Sequence, residues 1–312
     1  MAFSNRVTQM LNVEIPILQA PMGWIARSPL ASAVSKAGAM GIIETSSGEL
    51  DAIRVEIQKM RELTDRPFGV NIAQAFVRDP SIVDFVVDQG VQFVTTSAGD
   101  PRQHTMQLKE AGLTVFHVVP TLRAAEKAVA AGVDGLVVEG GEGGGFKNPS
   151  PVSTLVLLPL IRSRVDVPII AAGGFCDGVS MAAAFALGAE GIQMGTRMVS
   201  AAESPVHDGW KDAIVDAAET DTVFLKPEKG PALRALRTER TERLESGEGN
   251  PMAELGAGVK DVYFGGKIGA GVALTGQVAG RIDSIRPVAD IIADTVEEYA
   301  ATVRRLAAQQ PA

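Results

Sequence analysis

The segment Val167–Arg197 constrains the fold most, because it predicts two consecutive strand–helix units that end in glycine turns. Val167–Ala172 is short, apolar and rich in β-branched residues, which is typical of a strand buried on both faces. Gly191–Met194 predicts a second strand of the same kind. Glycines and one small residue, which leave the backbone N–H groups accessible to a ligand, follow the two strands: Gly173, Gly174, Gly195 and Thr196. Bare N–H groups and a helix N-terminus at adjacent strand ends predict a phosphate-binding cradle.

Six further strands are predicted in the preceding part of the chain, at similar spacing. Apolar runs begin near residues 15, 40, 68, 93, 114, 135, 167 and 191, at the spacing of βα units. Eight units without a GxGxxG first turn favour a closed barrel over a doubly wound open sheet. In such a barrel, the loops after strands seven and eight are the usual phosphate site. The sequence therefore predicts an α/β fold, a (β/α)8 TIM barrel.

Beyond Arg197 the predicted strands and helices no longer alternate at this regular spacing. We predict a single domain over residues 1–312, with an inserted helical or lid segment at 219–261, after strand eight, and a helical C-terminal tail at 274–309. Within the insertion, Ala232–Leu244 predicts an Arg-rich helix between Gly/Pro breaks. The glycine-rich stretch Gly140–Pro151 predicts an irregular loop after strand six.

Composition excludes several classes of function. The net charge of −8 argues against a general nucleic-acid or anionic-membrane surface. Cys176 is the one cysteine, which excludes an internal disulfide and a CxxC metal site, and we expect it to be a buried small residue. The histidines lack metal-ligand spacing, and His104 and His207 suit surface positions. With no long apolar run or leader, we expect a cytoplasmic protein that acts on a small molecule.

The predicted strand ends carry glycines, small residues and amides but few acids or bases. A site equipped for a phosphate yet poor in catalytic groups suggests that a cofactor supplies the reactivity. Glycines at Gly140–Gly145 would let the backbone lie against a flat ring or a phosphate. The Asn71 amide could bond a ring carbonyl or imide. His117, near the end of strand five, points either into the site or into the core.

Six stretches in collinear order resemble the nitronate monooxygenase (2-nitropropane dioxygenase) family. They are QAPMGW (Gln19–Trp24), RPFGVNI (Arg66–Ile72), VVEGGEGGG (Val137–Gly145), LVLLP (Leu155–Pro159), VPIIAAGGF (Val167–Phe175) and MGTR (Met194–Arg197). The resemblance implies an FMN-dependent (β/α)8 barrel. Such barrels include nitronate monooxygenases, NADH:quinone reductases and FabK-type enoyl-thioester reductases, with relatives acting on steroid-derived CoA thioesters.

The resemblance also implies a set of flavin-binding residues. Three would lie along or face the flavin ring from the first strand end, and one from strand three: Pro21, Met22, Gly23 and Asn71. Two would approach FMN from strand six: Glu139 and Gly144. Five would hold its phosphate: Ala172, Gly173, Gly174, Gly195 and Thr196.

One position departs from the family pattern. The strand-six motif usually continues to a histidine, the expected base or proton donor beside the flavin, and this chain has Phe146 there. Phe146 could instead pack on a bulkier or aromatic substrate. His117 and Lys147 are the nearest replacements along the sequence.

Three functions remain open at this point. The first is a nitronate monooxygenase-like oxidation of a nitronate or nitroalkane with O2. The second is an NAD(P)H-dependent reduction of an enoyl-thioester or a quinone, with NAD(P)H as co-substrate. The third is a flavin-binding barrel without catalysis. The sequence leaves the oligomeric state open, with a homo-oligomer as one alternative.

Overall fold

Strands and helices alternate along the chain as far as Met194, except that a short strand at Gly145–Lys147 directly follows the strand Gly135–Glu139. The computed structural model describes residues 3–309, so the first two and last three residues of the predicted domain lie outside it. Within residues 3–309 the strands are β1 Ile17–Gln19, β2 Gly41–Ile43, β3 Phe68–Ala73, β4 Phe93–Ser97, β5 Thr114–Val119, β6 Gly135–Glu139, β7 Gly145–Lys147, β8 Ile169–Ala172, β9 Gly191–Met194, β10 Thr222–Leu225 and β11 Ala232–Leu236.

The helices cover the outside of the strands. In the same residues they are α1 Arg6–Leu11, α2 Ser28–Lys36, α3 Leu50–Leu63, α4 Ile82–Asp88, α5 Thr105–Glu110, α6 Leu122–Ala130, α7 Thr154–Arg162, α8 Gly178–Ala186, α9 Thr196–Val199, α10 Asp208–Val215, α11 Glu239–Glu245, α12 Pro251–Tyr263 and α13 Val288–Ala307. Apolar side chains at helical spacing face the sheet; in α3 these are Ile53, Ile57 and Met60. No helix among residues 3–309 is both long and apolar enough to cross a membrane.

Eight parallel strands form the predicted barrel. Their order is β1-β9-β8-β6-β5-β4-β3-β2. A parallel bridge between Leu18 and Met40 joins β1 to β2, and Gln19 N donates to Met40 O at 3.0 Å. The barrel interior is packed with alternating strand side chains such as Phe116 and Ile170, and α1 contributes Leu11 to the same cluster. The TIM-barrel prediction is confirmed, although β1 is shorter than the apolar run that begins at residue 15.

A second, three-stranded antiparallel sheet connects the predicted insertion to the glycine-rich loop. β11 pairs with β10 on one side and with β7 on the other, with Leu233 opposite Phe146. The prediction of an irregular loop over Gly140–Pro151 therefore missed β7. The predicted helix over Ala232–Leu244 is wrong in its first half, where the alternating residues bury side chains in a small separate core. Helix α11 begins only at Glu239.

The predicted C-terminal tail is helical over most but not all of its length. Residues 274–287 cross the top of the barrel with a short 3₁₀ turn at Gln277–Arg281, and α13 begins at Val288. Gln277 N donates to Glu142 O at 2.9 Å, so this crossing segment packs on the glycine-rich loop Gly140–Pro151 (the glycine loop). Whether 219–261 moves as a lid stays a prediction.

Candidate active site

A cavity of about 710 Å³ opens at the carboxyl ends of the barrel strands. This is the face on which TIM barrels carry their active sites, and the size suits a small organic ligand. All the residues predicted for the site line it: Pro21, Met22, Gly23, Asn71, His117, Glu139, Gly144, Phe146, Ala172, Gly173, Gly174, Gly195 and Thr196. The strands thus bring together residues that are far apart in the sequence.

The predicted phosphate cradle lies at the ends of β8 and β9, which are paired neighbours. Gly173 and Gly174 have φ of +83° and +95°, conformations that favour glycine. The N–H groups of Gly174, Gly195 and Thr196 have no protein acceptor within residues 3–309. Unpaired donors at two adjacent strand ends, with α9 beginning at Thr196, form a site suited to an anion.

Two side chains beside the cradle carry further hydrogen-bonding capacity. The Thr196 hydroxyl accepts from Gly276 N at 2.9 Å, so its own proton is available to donate. Gln193 Oε1 is buried at the cavity wall and has no hydrogen-bond partner among the described residues. A buried acceptor without a partner is costly unless a ligand satisfies it. The cradle and Gln193 together fit the phosphate and polar ring of the FMN that the resemblance implies.

The turn Pro21–Gly23 after β1 is held rigidly against the cavity. A Cβ on Gly23 would lie 2.9 Å from Ser46 Oγ, another wall residue. The next residue, Trp24, has φ +60°, and its N–H donates to Glu44 Oε1 at 3.2 Å. Glu44 is fully buried and pairs with Arg27 at 2.8 Å. Glu44 therefore stabilises this turn and does not line the cavity.

Asn71 ends up in a network with the neighbouring strand. Its Nδ2 donates to Thr95 Oγ1 at 2.9 Å and lies 3.1 Å from Thr95 O. Ser97 Oγ lies 3.4 Å away. The side-chain NH₂ group of Asn71 is thus hydrogen-bonded to β4. Only the side-chain carbonyl oxygen of Asn71 is left to accept a hydrogen bond from a ligand.

The glycines of the glycine loop are required by close packing against other segments, as well as by the space that a ligand needs. A Cβ on Gly144 would fall 2.7 Å from Gly276 N, so glycine is needed there for the crossing segment to pack. Glu142 turns away from the cavity, and its Oε1 accepts from Thr154 N at 2.9 Å at the start of α7. The Thr154 hydroxyl lies 2.7 Å from Gly173 O, which couples this loop to the cradle.

Lys147 and Glu139 form an ion pair at the cavity wall. Lys147 Nζ contacts Glu139 Oε1, and the Lys147 side chain is 4% exposed while that of Glu139 is 25% exposed. A Cβ on Gly143 would lie 3.0 Å from Lys147 Nζ, so the ammonium sits directly under the loop backbone. The structure brings Lys147 closer to the predicted flavin site than its sequence context alone suggested.

Phe146 stands at the position of the family histidine and lines the cavity. Its ring lies 5.0 Å from that of Phe76, between centroids, with the planes tilted by 54°. Aromatic pairs of this geometry are attractive and offer an apolar contact surface. Phe146 also contacts the small core of the second sheet. The Phe146 ring can contact an apolar substrate but can neither give nor take a proton.

His117 is buried beside the cavity and is uncharged near neutral pH. Its Nδ1 lies 2.7 Å from Thr96 Oγ1 on the adjacent strand. Burial lowers the pKa of His117 to about 4. His117 therefore lines the cavity, which is one of its two predicted orientations. It does so as a neutral group that can form hydrogen bonds.

A basic mouth, formed by Arg123 and Lys127, was missed by reasoning from strand ends alone. Both side chains are exposed and border the cavity; Arg123 lies in the first turn of α6 and Lys127 in its last turn. Lys127 Nζ pairs with Asp100 Oδ2 at 2.8 Å, and Arg102 holds the pKa of the Asp100 carboxyl well below its usual range. The available signal was the spacing of two cations four residues apart, on one face of the helix that follows β5.

The remaining candidates lie outside the cavity. Cys176 is buried, and burial raises the pKa of its thiol to about 12, which confirms that it is an inert small residue. His207 is exposed at the start of α10, as expected. His104 is 8% exposed with its Nε2 buried, so its expected surface position is wrong. It packs where the turn Pro101–Gln103 folds over α5.

Comparisons with known proteins agree with this geometry. The family model described as nitronate monooxygenase matches residues 4–81 and 73–298. The chain is 38% identical over 250 residues to the (3aS,4S,5R,7aS)-5-hydroxy-7a-methyl-1-oxo-octahydro-1H-indene-4-carboxyl-CoA dehydrogenase of Mycobacterium tuberculosis, covering 79% of this chain and 70% of that protein. It is 31% identical over 284 residues to a probable nitronate monooxygenase of Staphylococcus saprophyticus, covering 77% and 80%.

The solved structures show the same relationship over nearly the full length. The structure of FabK from Thermotoga maritima superposes with a TM-score of 0.93 at 39% identity, covering 99% of this chain and 100% of that one. A nitroalkane oxidase from Streptomyces ansochromogenes shares the fold with a TM-score of 0.82 at 24% identity, covering 96% and 99%. The chain is an oxidoreductase on a TIM barrel, and it belongs to the nitronate monooxygenase family.

Proposed function

We propose that this chain is an FMN-dependent, NAD(P)H-driven oxidoreductase that acts on an acyl thioester. One observation carries the proposal: a single cavity is lined by the anion cradle at Gly174, by Phe146 and by the basic mouth at Arg123 and Lys127. Such a cavity can hold a phosphate-bearing cofactor at the cradle and an anionic carrier at the basic mouth, with Phe146 as an apolar contact.

Backbone and side-chain groups without hydrogen-bond partners mark where the cofactor would bind. The N–H groups of Gly174, Gly195 and Thr196 would hold the FMN phosphate. The turn Pro21–Gly23 and Asn71 would border the ring, and Gln193 Oε1 would gain a partner there. FMN supplies hydride acceptance and donation when bound, which the side chains of this site lack.

The apolar surface and the positive charge of the remaining cavity residues indicate which substrate would bind there. Phe146 and Phe76 present an apolar surface to an acyl chain, and the Arg123 guanidinium suits the phosphates of coenzyme A. The Mycobacterium tuberculosis relative is named as a carboxyl-CoA dehydrogenase. The family that the sequence resembles includes FabK-type enoyl-thioester reductases, and FabK from Thermotoga maritima is 39% identical to this chain. Both similarities support a thioester over a small nitro compound.

Nitronate oxidation is the second candidate, favoured by the family match and the staphylococcal relatives. A nitronate is already an anion, so its oxidation needs no base at position 146. If the substrate is a nitronate, we expect the wild-type chain to turn it over and Phe146→His to leave that turnover largely unchanged. If it is a thioester, the same change is expected to leave nitronate turnover negligible and to disturb the apolar wall.

Anaerobic stopped-flow absorbance of the FMN-loaded protein tests both functions. We expect NADH or NADPH to bleach the flavin, and an enoyl-CoA such as crotonyl-CoA to restore its colour. Bleaching by propionate-3-nitronate without a nicotinamide would replace the proposal by the second candidate. Failure of both nicotinamides to bleach the bound flavin, or of the enoyl-CoA to reoxidise it, would overturn the thioester proposal.

A further inference from the structure

We propose that Lys147, held by Glu139, is the proton donor of this site, replacing the histidine that the family carries one residue earlier. This inference rests on the proposed reduction of an enoyl thioester. Hydride addition to one carbon of the double bond requires a proton for the other carbon. Phe146 has no proton to give, and His117 is neutral and already bonded to Thr96.

The strand β7 places the two neighbouring side chains differently. Phe146 packs on Phe76 and on the core of the second sheet. Lys147 instead contacts Glu139 and lies beneath Gly143. Both residues line the cavity. A change from histidine to phenylalanine therefore removes the proton from one position, and the next residue brings another proton to the same wall.

A purely structural explanation for this lysine is weak. A buried ion pair must offset the loss of hydration of both charges, and apolar residues of similar size often serve stability as well. The Lys147 side chain is 4% exposed, yet it borders a ligand cavity and not a closed core. The quarter-exposed Glu139 side chain gives the pair a connection to solvent.

The proposed step balances in atoms and charge. A hydride from NAD(P)H, which the FMN held in this site would pass on, would add to the β-carbon of the enoyl thioester and break the carbon–carbon π bond. Its electron pair takes a proton from Lys147 Nζ at the α-carbon, and a saturated thioester forms. Lys147 is left as a neutral amine and regains a proton from solvent along Glu139.

The test separates the charge of Lys147 from its proton. Lys147→Arg keeps a cation that can pair with Glu139, but a guanidinium does not give up its proton in proteins. Lys147→Met removes both. The control is Lys211→Met, because the Lys211 side chain is similarly buried (6% exposed), pairs with Asp208 at 3.2 Å and does not border the cavity.

Each half of the reaction is measured alone on FMN-loaded protein, alongside FMN affinity and thermal unfolding. We expect both Lys147 variants to slow reoxidation of reduced flavin by crotonyl-CoA by about 10²–10⁴-fold, and reduction by NAD(P)H by less than about threefold. We expect Lys147→Met, but not Lys211→Met, to shift the absorbance maximum of the bound flavin. A small amine such as methylamine should restore part of the rate to Lys147→Ala.

Several results would overturn the assignment. Wild-type reoxidation rates in Lys147→Arg would show that the positive charge alone is required. Wild-type rates in Lys147→Met, with FMN bound, would remove Lys147 from the reaction. If crotonyl-CoA fails to reoxidise the wild-type protein itself, the proposed function falls and the role of Lys147 falls with it.

Discussion

Arg234 Nε donates a 2.8 Å hydrogen bond to the carbonyl oxygen of Gly141, 93 positions earlier in the chain. The bond ties the inserted hairpin to the glycine loop, which follows Glu139 and contains Phe146 and Lys147. The guanidinium also lies 5.3 Å above the ring of Phe224, and burial lowers its pKa. The insertion is thus part of the wall of the site, to which it also contributes Pro231.

Loss of this bond should loosen the glycine loop. We expect Arg234→Met to lower the free energy of unfolding by about 1–2 kcal/mol, because a partly buried hydrogen bond from a charged group is lost and Gly141 O loses its partner. FMN affinity should fall about tenfold, which corresponds to about 1.4 kcal/mol. Fluorescence titration and urea denaturation measure both quantities. Arg237→Met is the control, since Arg237 lies on the same segment, at its surface, and pairs with Glu245. Equal behaviour of the two variants would contradict the role of Arg234.

The phosphate cradle can be tested with two matched glycines. Gly174 and Gly132 have φ of +95° and +87°, and an added Cβ would clash with nothing at either position. We expect Gly174→Ala and Gly132→Ala each to cost about 1 kcal/mol of stability, because alanine is strained at positive φ. Only Gly174→Ala should weaken FMN binding, by at least about tenfold. Equal FMN affinities in the two variants would place the phosphate elsewhere.

The basic mouth should recognise the carrier and not the acyl chain. We expect Arg123→Glu to raise the KM for crotonyl-CoA about tenfold, since it replaces attraction by repulsion at about 1.4 kcal/mol. The effect should shrink at high salt. The crotonyl thioester of N-acetylcysteamine lacks the phosphates and serves as the control substrate, with an unchanged KM. An equal rise for both thioesters would point to a distorted cavity and not to a lost phosphate contact.

His117 should make the fold sensitive to acid. Burial lowers its pKa from 6.5 to about 4, so the unfolded chain takes up this proton before the folded chain does. The stability contributed by neutral His117 is complete above about pH 6.5, and it is lost as the pH falls towards 4, by up to about 3 kcal/mol. We expect His117→Gln to flatten this part of the stability curve, measured by urea denaturation between pH 4 and 7. His207→Gln, at an exposed position, should leave the curve unchanged; a curve unchanged by His117→Gln as well would contradict the buried neutral state.

The barrel and the location of the site could be predicted because both follow from local pattern. Parallel strands buried on both faces give continuous apolar runs, and their carboxyl ends meet on one face of the barrel. Residues as distant as Met22, Asn71 and Gly174 therefore line one cavity. The family resemblance added what pattern does not contain, namely which ligand such a face would take.

The second sheet could not be predicted because its strands depend on partners far along the chain. Residues 145–147 are too few to show a period, and Ala, Leu and Arg in 232–236 individually favour helix. Pairing with β7 and burial of Leu233 override that preference. The burial of His104 likewise depends on tertiary packing that a helix-start pattern does not reveal.

The pairing of β7 with β11 also sets an order of events during synthesis. The eight barrel strands are complete once β9 has left the ribosome, whereas the partner of β7 emerges later, with the segment Ala232–Leu236. Contacts between distant segments form late because the intervening chain must first be ordered. The barrel can therefore close before its glycine loop acquires a fixed shape. If FMN binds at the cradle as proposed, its uptake is expected to follow the pairing of β11 with β7, and so to report that this late contact has formed.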